Sequence, residues 1–148
     1  MSRREEVPFE TTQQVRDACL CLHVQRAARA MARHYDQALR PLDLTNGQFS
    51  LLMSLNRADA ASIGSVSGLL AMDRTTLTAN LKPLERRGLV KATVDPADRR
   101  SRRLMLTPAG HAALAAALPL WKRAQRAAER LLAGSSPDRL RGDLRALS

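Results

Sequence analysis

Strand-like alternation is confined to one place in this sequence, and helical periods fill most of the rest. Leu89–Val94 alternates apolar residues with Lys91 and Thr93, and Arg103–Leu106 puts Leu104 and Leu106 on one face. Between them Asp95–Arg102 is polar and charged, as a turn is. The pair predicts a single β-hairpin in a helical chain. Upstream, Leu20, Val24, Ala27, Met31, Tyr35 and Ala38 recur at spacings of three and four. They predict one long helix over Thr12–Arg40, about 40 Å at ~1.5 Å per residue, stopped by Pro41. Residues 1–10 read as a flexible polar arm.

Further helices follow from their end signals. Thr45 and Gln48 match a capping box ahead of an apolar face of Phe49, Leu52, Met53 and Leu55. Ala58–Ser62 reads as a loop, and Ile63, Val66, Leu69 and Leu70 fit a short helix despite Gly64 and Gly68. Ala71-Met72-Asp73 reads as a tight turn, with Asp73 capping a helix over Arg74–Arg87 that Gly88 ends. Thr107-Pro108 opens a long Ala/Leu helix to about Ala133 that Pro119 is expected to kink. Gly134-Ser135-Ser136-Pro137 breaks it, and a last helix runs to Leu147.

Length and composition narrow the partner. A chain of 148 residues fits one domain, and 45% hydrophobic but only 3% aromatic residues imply a core of Leu, Ala, Val and Met. The net charge of +10 points to a polyanion: nucleic acid or, less often, an anionic membrane. Twenty-one of the 24 cations are Arg, which suits bidentate contacts to phosphate and guanine and is equally what a GC-rich genome would give. The N-terminus lacks an apolar signal region and no apolar run approaches the ~20 residues of a membrane span, so a cytoplasmic protein without a membrane partner is expected. Three scattered His, no Gly-rich phosphate loop and no paired-carboxylate motif give no basis for an enzyme, a cofactor or a metal site. Cys19 and His23 could supply two ligands, but no second cluster accompanies them.

Two short helices, a tight turn and a basic hairpin make the order of a winged helix-turn-helix, whose second helix enters the major groove. At about 100° per residue, Leu77, Leu81 and Leu84 of that helix form a buried seam. The other face carries Arg74, Thr75, Thr76, Thr78, Ala79, Lys82 and Arg86, small and cationic groups suited to base edges and phosphates. The hairpin tip offers Arg99, Arg100 and Arg102, with Asp98 placed to hold one arginine. A solvated amphipathic helix and a merely soluble loop remain the plainer alternatives. At the level of the whole chain, a nucleoid-type DNA binder or a basic membrane- or protein-interaction module would share the charge.

Met72-Asp73-Arg74-Thr75-Thr76-Leu77, Leu84-Glu85-Arg86-Arg87-Gly88-Leu89-Val90, Asp95-Pro96-Ala97-Asp98-Arg99-Arg100 and Leu106-Thr107-Pro108-Ala109-Gly110 together resemble the MarR family of bacterial regulators. The resemblance runs from about Cys19 to the last helix. It implies a mainly α fold with a small β-hairpin wing, a winged helix-turn-helix joined to a helical dimerisation domain. Residues 11–42 and 108–148 would then dimerise and residues 43–107 bind DNA. It further implies a homodimer on a palindromic operator, commonly a repressor released by a small-molecule or oxidant effector.

The first long helix carries the candidates for the signal. Cys21 occupies the position of the reactive cysteine in the organic-hydroperoxide-sensing branch, and Tyr35 matches one of the tyrosines that hydrogen-bond it there. Gln25 and Asn46 stand where that branch has its other two. Cys19 and Cys21 would point about 200° apart on one helix, which disfavours a disulfide between them. Both also suit small core hydrophobes. A small organic anion is the other candidate signal, held by Arg26, His34, Tyr35 and Trp121.

Overall fold

The computed structural model describes residues 6–148, so residues 1–5 of the expected arm lie outside the described residues. The chain divides after Arg33 into two units. In the first, α1 (Phe9–Ala18) already includes the end of the expected arm, and none of its residues is buried. The single helix expected over Thr12–Arg40 is two helices. Cys19 adopts an extended conformation between α1 and α2 (Leu20–Leu39). Its backbone N–H closes α1 on the Val15 carbonyl at 2.9 Å, and its Sγ accepts from the Leu22 N–H at 3.5 Å across the first turn of α2. No glycine or proline marks this break, which is why periodicity runs through it. The apolar stripe of α2 is not covered: Leu20 is 69% exposed, and Leu39 alone of this helix is buried.

The second unit holds the core. A short 3₁₀ turn, Arg40–Leu42, contains Pro41 and leads to α3 (Asn46–Ser54). Thr45 and Gln48 satisfy each other's backbone N–H groups in the expected capping box. Phe49, Leu52 and Leu55 are buried as expected and Leu51 joins them, whereas Met53 is 43% exposed. The presumed loop before α4 (Ile63–Leu70) ends in a two-residue strand, β1 (Ala61–Ser62). Two residues are too few to show alternation in sequence.

Ala71 turns the chain from α4 into α5 (Arg74–Arg86) at a left-handed φ of 50°. The hairpin follows as β2 (Val90–Val94) and β3 (Arg102–Leu106), paired antiparallel from Val90–Leu106 to Val94–Arg102. β1 pairs with the free edge of β3, giving the order β1-β3-β2. Thr107 caps α6 (Pro108–Arg130), which runs unbroken through Pro119, and α7 (Pro137–Ala146) closes the chain.

Core packing aims the two exposed elements. Leu77, Leu81 and Leu84 of α5 are buried with Leu52 of α3, Leu55 just after it, Val66 of α4 and Leu104 of β3. Burying side chains of this size stabilises by about 1.5–3 kcal/mol each, enough to hold the helix rotation. Gly110 lets α6 approach the hairpin: a Cβ there would lie 2.0 Å from the Leu89 carbonyl oxygen. That carbonyl accepts from the Thr107 N–H at 3.1 Å.

Candidate nucleic-acid interface

The buried seam of α5 fixes what its other side presents. Arg74, Thr75, Thr76, Thr78, Ala79, Lys82 and Arg86 are all exposed, as the heptad-like spacing of the leucines requires. Arg74, Thr75, Thr78, Ala79 and Lys82 line one shallow depression. Asn80 is turned away from it. Its side chain packs over Gly47 of α3, where an added Cβ would meet Asn80 Oδ1 at 2.8 Å, and its amide donates to the Thr76 carbonyl.

The start of α5 is held by Asp73. One carboxylate oxygen accepts from the Thr76 N–H at 2.7 Å and the other from the Thr76 hydroxyl at 3.1 Å. The first of these, above all, holds the Asp73 carboxyl below the usual carboxylate range. At the far end Arg87, which the sequence did not single out, donates to the Asp43 and Leu42 carbonyls at 2.7 and 3.1 Å. It anchors α5 to the turn after α2, a contact 44 residues away in sequence that local spacing does not reveal.

The wing tip is tied by its own backbone. Asp95 N–H donates to the Ser101 carbonyl, Ser101 N–H to the Asp98 carbonyl, and Ala97 N–H to Asp95 Oδ1, each at 2.9 Å. Asp98 does not hold an arginine side chain; its Oδ1 accepts from the Arg100 backbone N–H at 3.0 Å. Asp95, 7% exposed, takes that role through Arg103 at 3.1 Å. The Ala97 N–H first, and Arg103 beside it, lower the Asp95 carboxyl despite its burial. Glu85 stands 3.9 Å from Arg102. Arg99 and Arg100 are exposed and form no ion pair among the described residues, so their guanidiniums are available for phosphate.

Of the four residues expected around a small anion, Tyr35 and Trp121 share a cavity of about 170 Å³ with Leu39, Asn46, Phe49 and Ser50. Trp121 stacks on Phe49 at 6.2 Å between ring centroids, and both also line an adjoining apolar cavity of about 350 Å³. His34 does not line either; its Nε2 lies 2.9 Å from the Ala124 carbonyl and donates to it. Arg26 lines a depression with Arg29 and Arg33 instead. The Tyr35 hydroxyl donates to Gln125 on α6 rather than to a thiol. Burial, reinforced by the Glu129 charge, raises the Tyr35 phenol above its ordinary value.

At Cys21, Gln25 takes the place that a tyrosine would have. Its amide donates to the exposed Cys21 sulfur at 3.3 Å and accepts from Arg29 at 3.3 Å. Asn46 is engaged elsewhere, donating twice to Asp36 Oδ1. Because Cys19 lies outside the helix, the opposed orientation expected for two helical cysteines does not apply to it.

Among the described residues no group of three or more His, Cys, Asp or Glu could hold a metal ion, and no helix is long and apolar enough to cross a membrane. Residues 44–101 match the MarR family. The chain is 35% identical over 94 residues to the HTH-type transcriptional regulator TtmR of Methylorubrum extorquens, covering 64% of this chain and 48% of TtmR. It thus spans about half the length of that relative. It is 32% identical to the HTH-type transcriptional repressor NicR of Pseudomonas putida over 78% of this chain and 70% of NicR. The crystal structure of the Mycobacterium tuberculosis transcriptional regulator MosR in complex with DNA superposes with a TM-score of 0.78 at 39% identity, over 87% of this chain and 92% of MosR. The exposed face of α5, the three-stranded wing and these likenesses agree, and the chain belongs to the MarR family.

Proposed function

We propose that this protein is a sequence-specific transcriptional regulator that binds duplex DNA as a homodimer. The observation that carries the reading is the pairing of two exposed surfaces. The Thr/Ala/Lys face of α5 suits a major groove, and the unpaired Arg99 and Arg100 of the wing suit the adjacent phosphates or minor groove. Arg102 adds a third cation, loosely held by Glu85. Residues 43–107 form the DNA-binding region in this reading, and residues 11–42 and 108–148 the dimerisation region. The exposed Val15, Leu20, Leu140, Leu144 and Leu147 support that division, since apolar side chains in such number favour cover by a second copy. MosR bound to DNA and the repressor name of NicR favour a repressor on a palindromic operator.

The effector of this reading is a small aromatic molecule in the cavity of Tyr35, Asn46, Phe49 and Trp121. An oxidant is the second reading, favoured by the hydrogen bond from Gln25 to the exposed Cys21 thiol. Cumene hydroperoxide separates the two: release of DNA in the native protein but not in Cys21→Ser assigns the signal to that thiol, and equal responses discard it.

Competitive gel shifts test the regulator itself. The region upstream of the protein's own gene is expected to bind far more tightly than random duplex at physiological salt. Equal affinity for both leaves only a non-specific DNA binder.

A further inference from the structure

Arg26, Arg29 and Arg33 sit on successive turns of α2 at spacings of three and four, within about 60° of one another around the helix. They line a single depression of about 400 Å³ whose other lining residues are Ala27 and Ala30. Both alanines are too small to intrude between the guanidiniums. No acidic residue occurs between Asp17 and Asp36, and none of the three arginines joins an ion pair among the described residues. Arg29 makes one hydrogen bond, to the neutral Gln25. Neighbouring like charges at these spacings oppose helix formation by about 0.2–0.5 kcal/mol per pair. Some arginines elsewhere are neutralised or occupied, Arg16 by Asp17, Arg103 by Asp95, Arg141 by Glu129 and Asp138 and Arg87 by backbone carbonyls, whereas Arg99 and Arg100 of the wing share the unpaired state of the ridge. The ridge lies about opposite the stripe of Leu20, Val24, Met31 and Tyr35, so a second copy covering that stripe leaves the arginines open.

We propose that this ridge binds the phosphoryl chain of a small polyphosphorylated ligand. Arg26 and Arg33 are about 10 Å apart along the axis at ~1.5 Å per residue, a span that two or three linked phosphoryl groups bridge with the reach of long arginine side chains. Three planar forks present donors without an acceptor, which selects a multiply charged oxyanion over a neutral or cationic molecule. Duplex backbone phosphate has the same chemistry, and the test below separates it from a free ligand. The site stands apart from the reading of α5 and the wing, and its test is independent of theirs.

Sodium tripolyphosphate titrated calorimetrically into the full chain at physiological ionic strength is the direct probe. Binding in Arg26→Gln/Arg29→Gln/Arg33→Gln is expected to be at least about tenfold weaker, while duplex affinity and circular dichroism stay as in the native protein. Arg99→Gln/Arg100→Gln is expected to leave tripolyphosphate binding intact. The triple lysine variant keeps the charge but not the forks, and is expected to fall between native and glutamine forms, which preserves the test should the glutamine variant fail to fold. Undiminished tripolyphosphate binding in the glutamine variant overturns the proposal, as does binding that instead follows the wing arginines. Loss of duplex affinity in step with the ridge assigns these arginines to the DNA backbone and overturns it as well.

Discussion

At Gly110 the helix after the wing meets the strand before it, and nothing larger fits. A Cβ at 2.0 Å from the Leu89 carbonyl cannot be met by a side-chain adjustment, because backbone stands in its way. Gly110→Ala is expected to cost about 1–3 kcal/mol, read as a lower urea midpoint with an unchanged slope. The sequence placed this glycine in a family-like run, but the clash behind it is a contact between Leu89 and Gly110 that no local pattern encodes. Residue roles divide in the same way. The leucines of α5 were legible from their mutual spacing, and the caps Thr45, Asp73 and Thr107 because their partners lie within one turn. The pairing of Asp95 with Arg103, the anchoring of Arg87 and the hydrogen bond from Tyr35 to Gln125 were not, because each joins separate elements.

Among the elements, α5 depends most openly on a single charged group. Asp73 has a folded pKa below its unfolded value of about 3.9, so its capping contribution is complete above that value. The contribution disappears as pH falls through the lower folded value and the carboxylate is protonated. Asparagine also caps but does not titrate there. The stability of the native protein relative to Asp73→Asn is therefore expected to decline as the pH drops below about 4, in paired thermal melts. A constant difference contradicts the role of the carboxylate. Helix existence was readable throughout from period and end signals, but the break at Cys19 was not. There a sulfur and a carbonyl, rather than glycine or proline, manage the helix ends, and the surrounding apolar period is unchanged. β1 was missed for the opposite reason, since its identity comes entirely from pairing with β3.

For the whole molecule, the apolar stripe of the first long helix is one of two exposed apolar surfaces. In one copy Leu20 and Val24 remain exposed, as do Leu140, Leu144 and Leu147 at the other end of the chain. The proposed dimer would cover apolar side chains at both ends. Leu144→Asp is expected to shift sedimentation toward the monomer and to weaken operator binding, because two half-sites are then engaged separately. A variant that remains dimeric at native affinity removes Leu144 from the interface. The central claim is that α5 and the wing grip a duplex, and the salt dependence of binding tests it most directly. Across a salt series on the same operator, Arg100→Ala is expected to weaken binding and to flatten the slope of log K against log salt by about one for each wing in contact. An unchanged affinity and slope would show that the wing does not touch the phosphates, and the account of this surface would be wrong.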